Sequence, residues 1–210
     1  MDNKYAAVMN LLLEVLNDNK GGNEIPVGIS NRHIHLSQAD LDALFGAGYE
    51  LTKMKDLSQP GQYACEEKVD IVGPKNTLKG IRVLGPARPE TQVELALTDA
   101  RGIGIKAPVR ESGKLEGTPG CKLVGPCGEV ELDHGVMVAL RHVHLNEEQA
   151  AEAGVVDKEM VSVRVGGERG LVFDNVLIRS GAGHEREIHL DTDEGNAAGL
   201  KNDVEVEILK

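Results

Sequence analysis

The chain has 210 residues, with 23 Lys and Arg against 34 Asp and Glu, for a formal charge of −11. That balance argues against free nucleic acid as a partner. Apolar residues make up 40% and charged residues 27%, as in a folded globular protein, and no apolar run approaches the roughly 20 residues that span a bilayer, which excludes an integral membrane role.

With three Tyr, two Phe, no Trp and 25 Gly, the core must come from Val, Leu, Ile and Ala on short strands joined by Gly turns. Cys65, Cys121 and Cys127 are odd in number and lack the spacing of redox or zinc-ribbon pairs, so reduced thiols are expected. The N-terminus has no basic start followed by an apolar stretch and a small-residue cleavage site, and the expected compartment is the cytoplasm.

Residues 4–16 place Ala7, Val8, Leu11, Leu12, Val15 and Leu16 on one helical stripe, and residues 17–23 read as a loop. That helix either packs on its own domain or acts as an amphipathic targeting or docking helix on a flexible linker. From Ile25 onward the apolar runs are short, as in Val69-Asp70-Ile71-Val72, Ile81-Arg82-Val83-Leu84 and Val93-Glu94-Leu95-Ala96-Leu97. They continue in Val161-Ser162-Val163-Arg164-Val165, Val176-Leu177-Ile178 and Val204-Glu205-Val206-Glu207-Ile208. Many short strands with Gly-rich breaks such as Gly166-Gly167 predict barrels or sandwiches.

Arg32-His33-Ile34-His35-Leu36-Ser37 returns 109 positions later as Arg141-His142-Val143-His144-Leu145-Asn146, with a weaker third copy in Ile188-His189-Leu190-Asp191. Each copy ends on a capping residue followed three positions on by an acid or amide: Ser37 to Asp40, Asn146 to Gln149, Asp191 to Glu194. Each therefore reads as a strand running into a helix start.

Side chains at i and i+2 of a strand share a face, so His33 with His35, and His142 with His144, each present two imidazoles side by side. A single His-x-His is commonly a chance pair on a solvated face. Two copies in the same context point instead to metal, and zinc takes three or four such ligands, with an open position at catalytic sites. Two pairs predict two metals. His134 and His184 stand outside the pattern.

Arg88, within Gly85-Pro86-Ala87-Arg88-Pro89, sits at a rigid turn where a guanidinium can grip phosphate bidentately, the alternative being an exposed loop arginine. Residues 53–114 hold 11 Lys and Arg against 8 Asp and Glu, so a polyanionic ligand would prefer that segment. Glu94 could complete a zinc site, or simply sit on the wet face of a strand. Gly102-Ile103-Gly104 and Gly181-Ala182-Gly183 match neither the dinucleotide nor the P-loop spacing, and no Ser-His-Asp order is readable.

Together these segments, with Thr98-Asp99-Ala100-Arg101, Ala107-Pro108-Val109-Arg110 and Asp191-Thr192-Asp193-Glu194-Gly195-Asn196, resemble the PduL-type phosphate acyltransferases (phosphate propanoyltransferases) over nearly the whole chain after Glu24. The resemblance implies a mainly β fold: two small β-barrels capped by short helices, plus the N-terminal amphipathic helix. It implies interleaved domains, with residues 1–24 as helix and linker, 25–31 plus 139–210 as the first barrel, and 32–138 as the second barrel with a small insertion, the active site lying between the barrels.

It also implies two zinc ions per chain, one held by His33, His35 and Glu94 and the other by His142, His144 and His189, with Arg88 binding phosphate. Ser30, Asn31 and Asn196 flank the histidine segments as candidate contacts to coenzyme A, which is a substrate. The implied reaction interconverts propanoyl-CoA or acetyl-CoA plus phosphate with acyl phosphate plus CoA; no Ser or Cys sits in a recognisable nucleophile setting, so direct transfer is expected. Members that work inside bacterial microcompartments often carry an N-terminal encapsulation peptide, so shell or core proteins join acyl-CoA and phosphate as partners to consider, and a homo-oligomer is open. The alternatives are a zinc thioester or phosphoester hydrolase using metal-bound water, and a zinc-stabilised structural module of a microcompartment. A cupin-like oxygenase fits the doubled histidine pair poorly.

Overall fold

The structure is a computed structural model that describes residues 23–202 and 204–209, and the helix expected over residues 4–16 lies outside them. In chain order they form β1 (Glu24–Ser30), β2 (His33–His35), α1 (Gln38–Phe45), β3 (Lys53–Asp56), β4 (Tyr63–Val72) and β5 (Thr77–Gly85). There follow β6 (Gln92–Glu94), α2 (Leu97–Ile103), β7 (Val109–Arg110), β8 (Lys122–Val124), β9 (Glu129–Glu131) and β10 (Val136–Ala139). The last stretch holds β11 (His142–Leu145), α3 (Glu147–Ala153), β12 (Met160–Val165), β13 (Leu171–Ser180), β14 (Glu187–Asp191), α4 (Thr192–Ala198) and β15 (Glu205–Leu209). The protein is mainly β with short helices, as its composition requires.

Six strands close into a barrel in the order β1, β14, β11, β13, β12, β15. Period-two patterning builds it: β12 buries Val161, Val163 and Val165, and β15 buries Val206 and Ile208, while the residues between them face outward or lie part-buried. β11 runs parallel to β13, with His142 opposite Leu177 and His144 opposite Arg179.

The second β layer is a nine-stranded half-barrel in the order β7, β10, β6, β2, β5, β4, β8, β9, with β3 on β4. Its core gathers Ile34, Leu36, Val69, Ile71, Val83, Val93 and Leu123 with Leu41 and Leu44 of α1. Each such side chain contributes roughly 1.5–3 kcal/mol by leaving water.

Compact contacts group the described residues up to Gly28 with His142–Ile188 and those from Ala198 onward, and separately Ile29–Arg141 with His189–Ala197. The three expected caps form. Ser37 caps α1 by accepting from the Asp40 amide, Asn146 and Gln149 make a full capping box on α3, and Asp191 and Glu194 bond reciprocally across the start of α4.

One run departs from its pattern. The alternation in Val93–Leu97 predicts one strand, but β6 stops at Glu94 and Leu97 opens α2. The N-cap, Ala96, has no side chain to cap with; the Thr98 amide donates instead to Asp193 Oδ2 at 2.8 Å. A carboxylate 95 residues away thus takes a role usually filled locally. Among the described residues no helix is long and apolar enough to cross a membrane.

Candidate active site

β2 sits between β5 and β6, and its antiparallel register on β6 sets His33 opposite Glu94 and His35 opposite Gln92. Directly opposed residues share a face, so these four side chains converge while Ile34 and Val93 sink into the core behind them. His33 Nε2 lies 3.5 Å from Glu94 Oε2, and His35 Nε2 lies 3.9 Å from Glu94 Oε1. His33 Nδ1 donates to the Asn31 carbonyl at 2.8 Å, which turns Nε2 toward Glu94.

Burial and charge set the protonation of this cluster. His35 is pushed down to about 3, first by burial and then by the charges of His33 and Arg88, so its ring is neutral. Burial alone would raise the Glu94 carboxyl, but the charge and hydrogen bond of His33, then His35 and Arg88, hold it well below the usual range. Burial likewise opposes the charged form of His33, and Glu94 outweighs it, raising that imidazole.

The second set rides on β11 and β14, adjacent strands of the closed barrel. His142 and His144 point the same way, with Val143 fully buried on the opposite face. Their Nε2 atoms lie 3.0 Å apart, and His189 of β14 completes a group with them.

Both groups, His33, His35 and Glu94 and then His142, His144 and His189, bring their ligand atoms within 4.8 Å of one another. Across a tetrahedral zinc with bonds of about 2.0–2.1 Å, two nitrogens stand about 3.3 Å apart, close to the separation in the second set. In the first set His35 Nδ1 is buried without a hydrogen-bond partner, although backbone at Leu84 favours its protonation. The donor types and spacings fit a divalent metal of the zinc kind.

Arg88 is half-buried beside the first set. Its amide donates to the Leu36 carbonyl at 2.9 Å, it bridges to Ser37, and Nη1 donates to Ser112 Oγ at 3.3 Å. Ser30 Oγ lies 3.5 Å from His33 Nδ1, and the Asn31 side chain accepts from the Arg32 amide. Asn196 is exposed on α4.

Several neighbours carry no repeat signature. His184 lies outside the repeated segments, yet its Nδ1 sits 3.0 Å from His144 Nδ1, where it orients a candidate ligand. Gln92 and Ser112 both bond Glu94 Oε1. Two ion pairs bracket the ligand strands. Arg32 grips both Asp99 oxygens at 3.0 and 3.2 Å, and Arg141 meets Glu194 at 3.1 Å. Each acid falls five positions after the third member of its group, Glu94 or His189, in the first turn of a helix. That matched spacing was the readable signal.

Fold and site together define a mainly β protein with two histidine-built groups that could each hold a metal ion, one flanked by a half-buried arginine. The chain belongs to the phosphate propanoyltransferase family, whose profile matches residues 26–201, and it is an acyltransferase. It is 52% identical over 186 residues to the phosphate propanoyltransferase of Clostridioides difficile, an alignment covering 89% of each chain. It is 55% identical over 177 residues to that of Thermotoga maritima, covering 84% of each. Against that of Salmonella typhimurium it is 52% identical over 179 residues, covering 85% of each.

Proposed function

We propose that the chain catalyses acyl-CoA plus phosphate to acyl phosphate plus CoA, with propanoyl-CoA as acyl donor, using two zinc ions. The observation that carries the reading is the half-buried Arg88 hydrogen-bonded, through Ser112, to the carboxylate of a His-His-Glu ligand set. His33, His35 and Glu94 would hold one zinc, and His142, His144 and His189 the other. Bound there, zinc supplies Lewis-acid stabilisation of negative charge on oxygen and sulfur.

The protein's own groups position the reactants. Arg88 grips phosphate and offsets its repulsion from anionic CoA, turning a two-body encounter into a positioned attack. A phosphate oxygen attacks the thioester carbonyl carbon; the new C–O bond forms, the C–S bond breaks, and the electron pair leaves with the CoA thiolate. Ser30, Asn31 and Asn196 are the proposed CoA contacts.

No covalent acyl-enzyme is invoked. Burial pushes the Cys65 thiol up to about 11 and the Cys121 thiol up to about 12, so neither supplies thiolate near neutral pH. Trapping with hydroxylamine tests the product: propanoyl hydroxamate in excess of enzyme-free and phosphate-free controls is expected from propanoyl-CoA and phosphate, since hydroxylamine also attacks the thioester. Free propanoate in its place would mean hydrolysis and would overturn the reading.

A further inference from the structure

Gln92 is 1% exposed, and every polar atom of its side chain is committed. Its Oε1 accepts from the Gly113 amide at 2.8 Å. Its Nε2 donates one hydrogen to Glu94 Oε1 at 2.5 Å and the other to Ser112 Oγ at 2.8 Å. Ser112 in turn donates to Glu94 Oε1 at 3.2 Å and accepts from Arg88 Nη1 at 3.3 Å. The ring is directional: a carboxamide has two donors and one oxygen, and a hydroxyl has one donor and two lone pairs, so each bond has one consistent sense.

This arrangement treats the two oxygens of Glu94 differently. Oε1 receives both Gln92 and Ser112 and lies 3.9 Å from His35 Nε2, whereas Oε2 is the oxygen nearer a candidate ligand, 3.5 Å from His33 Nε2. We propose that Gln92 is a positioning residue. It occupies Oε1 so that Glu94 offers a metal only Oε2, and through Ser112 it ties that ligand to the arginine assigned to phosphate. The inference rests on Glu94 being a metal ligand.

A carboxylate that gives both oxygens to an ion fills two positions; one held by a neighbour fills one and leaves room for a substrate. The register puts Gln92 in this role. It lies opposite His35, two residues before Glu94 on the same strand face, and the Gly113 amide fixes its amide orientation. Its first effect is on the coordination of Glu94 and its second on the aim of Arg88, so the two should change together when Gln92 is removed.

Cobalt(II) substitution reads this directly, because four-coordinate cobalt absorbs strongly in the visible and five-coordinate cobalt weakly. In full-length protein loaded with cobalt, Gln92→Leu is expected to keep both ions but lose visible intensity. One of the two ions should pass to a chelator about 10- to 100-fold more readily, the usual effect of losing a partner of a metal ligand. The KM for phosphate should rise while that for propanoyl-CoA stays within about twofold.

Ser112→Ala, in a loop, provides the same test should Gln92→Leu fail to fold. It should move the spectrum and the phosphate KM in the same direction by less. Glu94→Ala is the reference. If it still binds two cobalt ions per chain, the ligand reading itself falls. If it loses one, while Gln92→Leu and Ser112→Ala both match the parent in spectrum, chelator release and phosphate KM, Gln92 has no positioning role.

Discussion

Arg88→Ala removes a guanidinium that the structure anchors beside the His-His-Glu set. Its amide is bonded to Leu36, Nη1 reaches Ser112, and its charge lowers the pKa values of both histidines and Glu94. A donor fixed on the reacting phosphate contributes roughly 2–4 kcal/mol to the transition state. At about 1.4 kcal/mol per tenfold, phosphate-dependent turnover should fall roughly 30- to 700-fold. Arg88→Lys should recover only part of this, since an ammonium restores charge without the two-pronged grip. The assay follows CoA thiol release from propanoyl-CoA across a range of phosphate concentrations, with bound metal measured on the same samples. Unchanged phosphate kinetics in Arg88→Ala with metal retained would refute the assignment.

His142→Ala should lose about one metal ion per chain along with activity. His134→Ala, whose exposed ring bonds Asp133 and Glu90, should lose neither, and metal analysis separates the two. Replacing Cys65, Cys121 and Cys127 together by Ala should leave turnover within about threefold of the parent; abolished turnover with metal intact would require a thiol nucleophile. Burial raises the Glu194 carboxyl from the ordinary 4.5 to about 7, outweighing the Asp191 amide and Arg141. The folded state thus holds this proton more tightly than the unfolded state does. The contribution is fully present below about pH 4.5 and is lost as pH rises through about 7, some 3 kcal/mol in all. Denaturant unfolding of Glu194→Gln should lack that loss, and a stability difference from the parent that stays flat between pH 5 and 8 would contradict the sign.

The histidine sets were legible because strand period alone puts residues two apart on one face, and because the Arg-His-x-His segment occurs twice. The caps were legible for a similar reason: a capping box is written within four residues. What escaped the sequence depends on register between distant strands. From the strand pattern alone Glu94 stood between a zinc ligand and a wet-face carboxylate, and only the resemblance named it; the register of β6 sets it opposite His33. His184 reaches His144 only through the fold of the barrel, and Ser112 reaches Glu94 from a loop. The end of β6 was misread because a distant side chain, Asp193, supplies the cap that Ala96 lacks.

The most direct test is release of CoA thiol from propanoyl-CoA and acetyl-CoA, with and without phosphate, on protein whose metal content is known. Release that requires phosphate, stops on chelation and returns with zinc is the predicted result. Release that proceeds equally without phosphate, or survives complete removal of metal, would contradict the proposed two-metal phosphate acyltransferase.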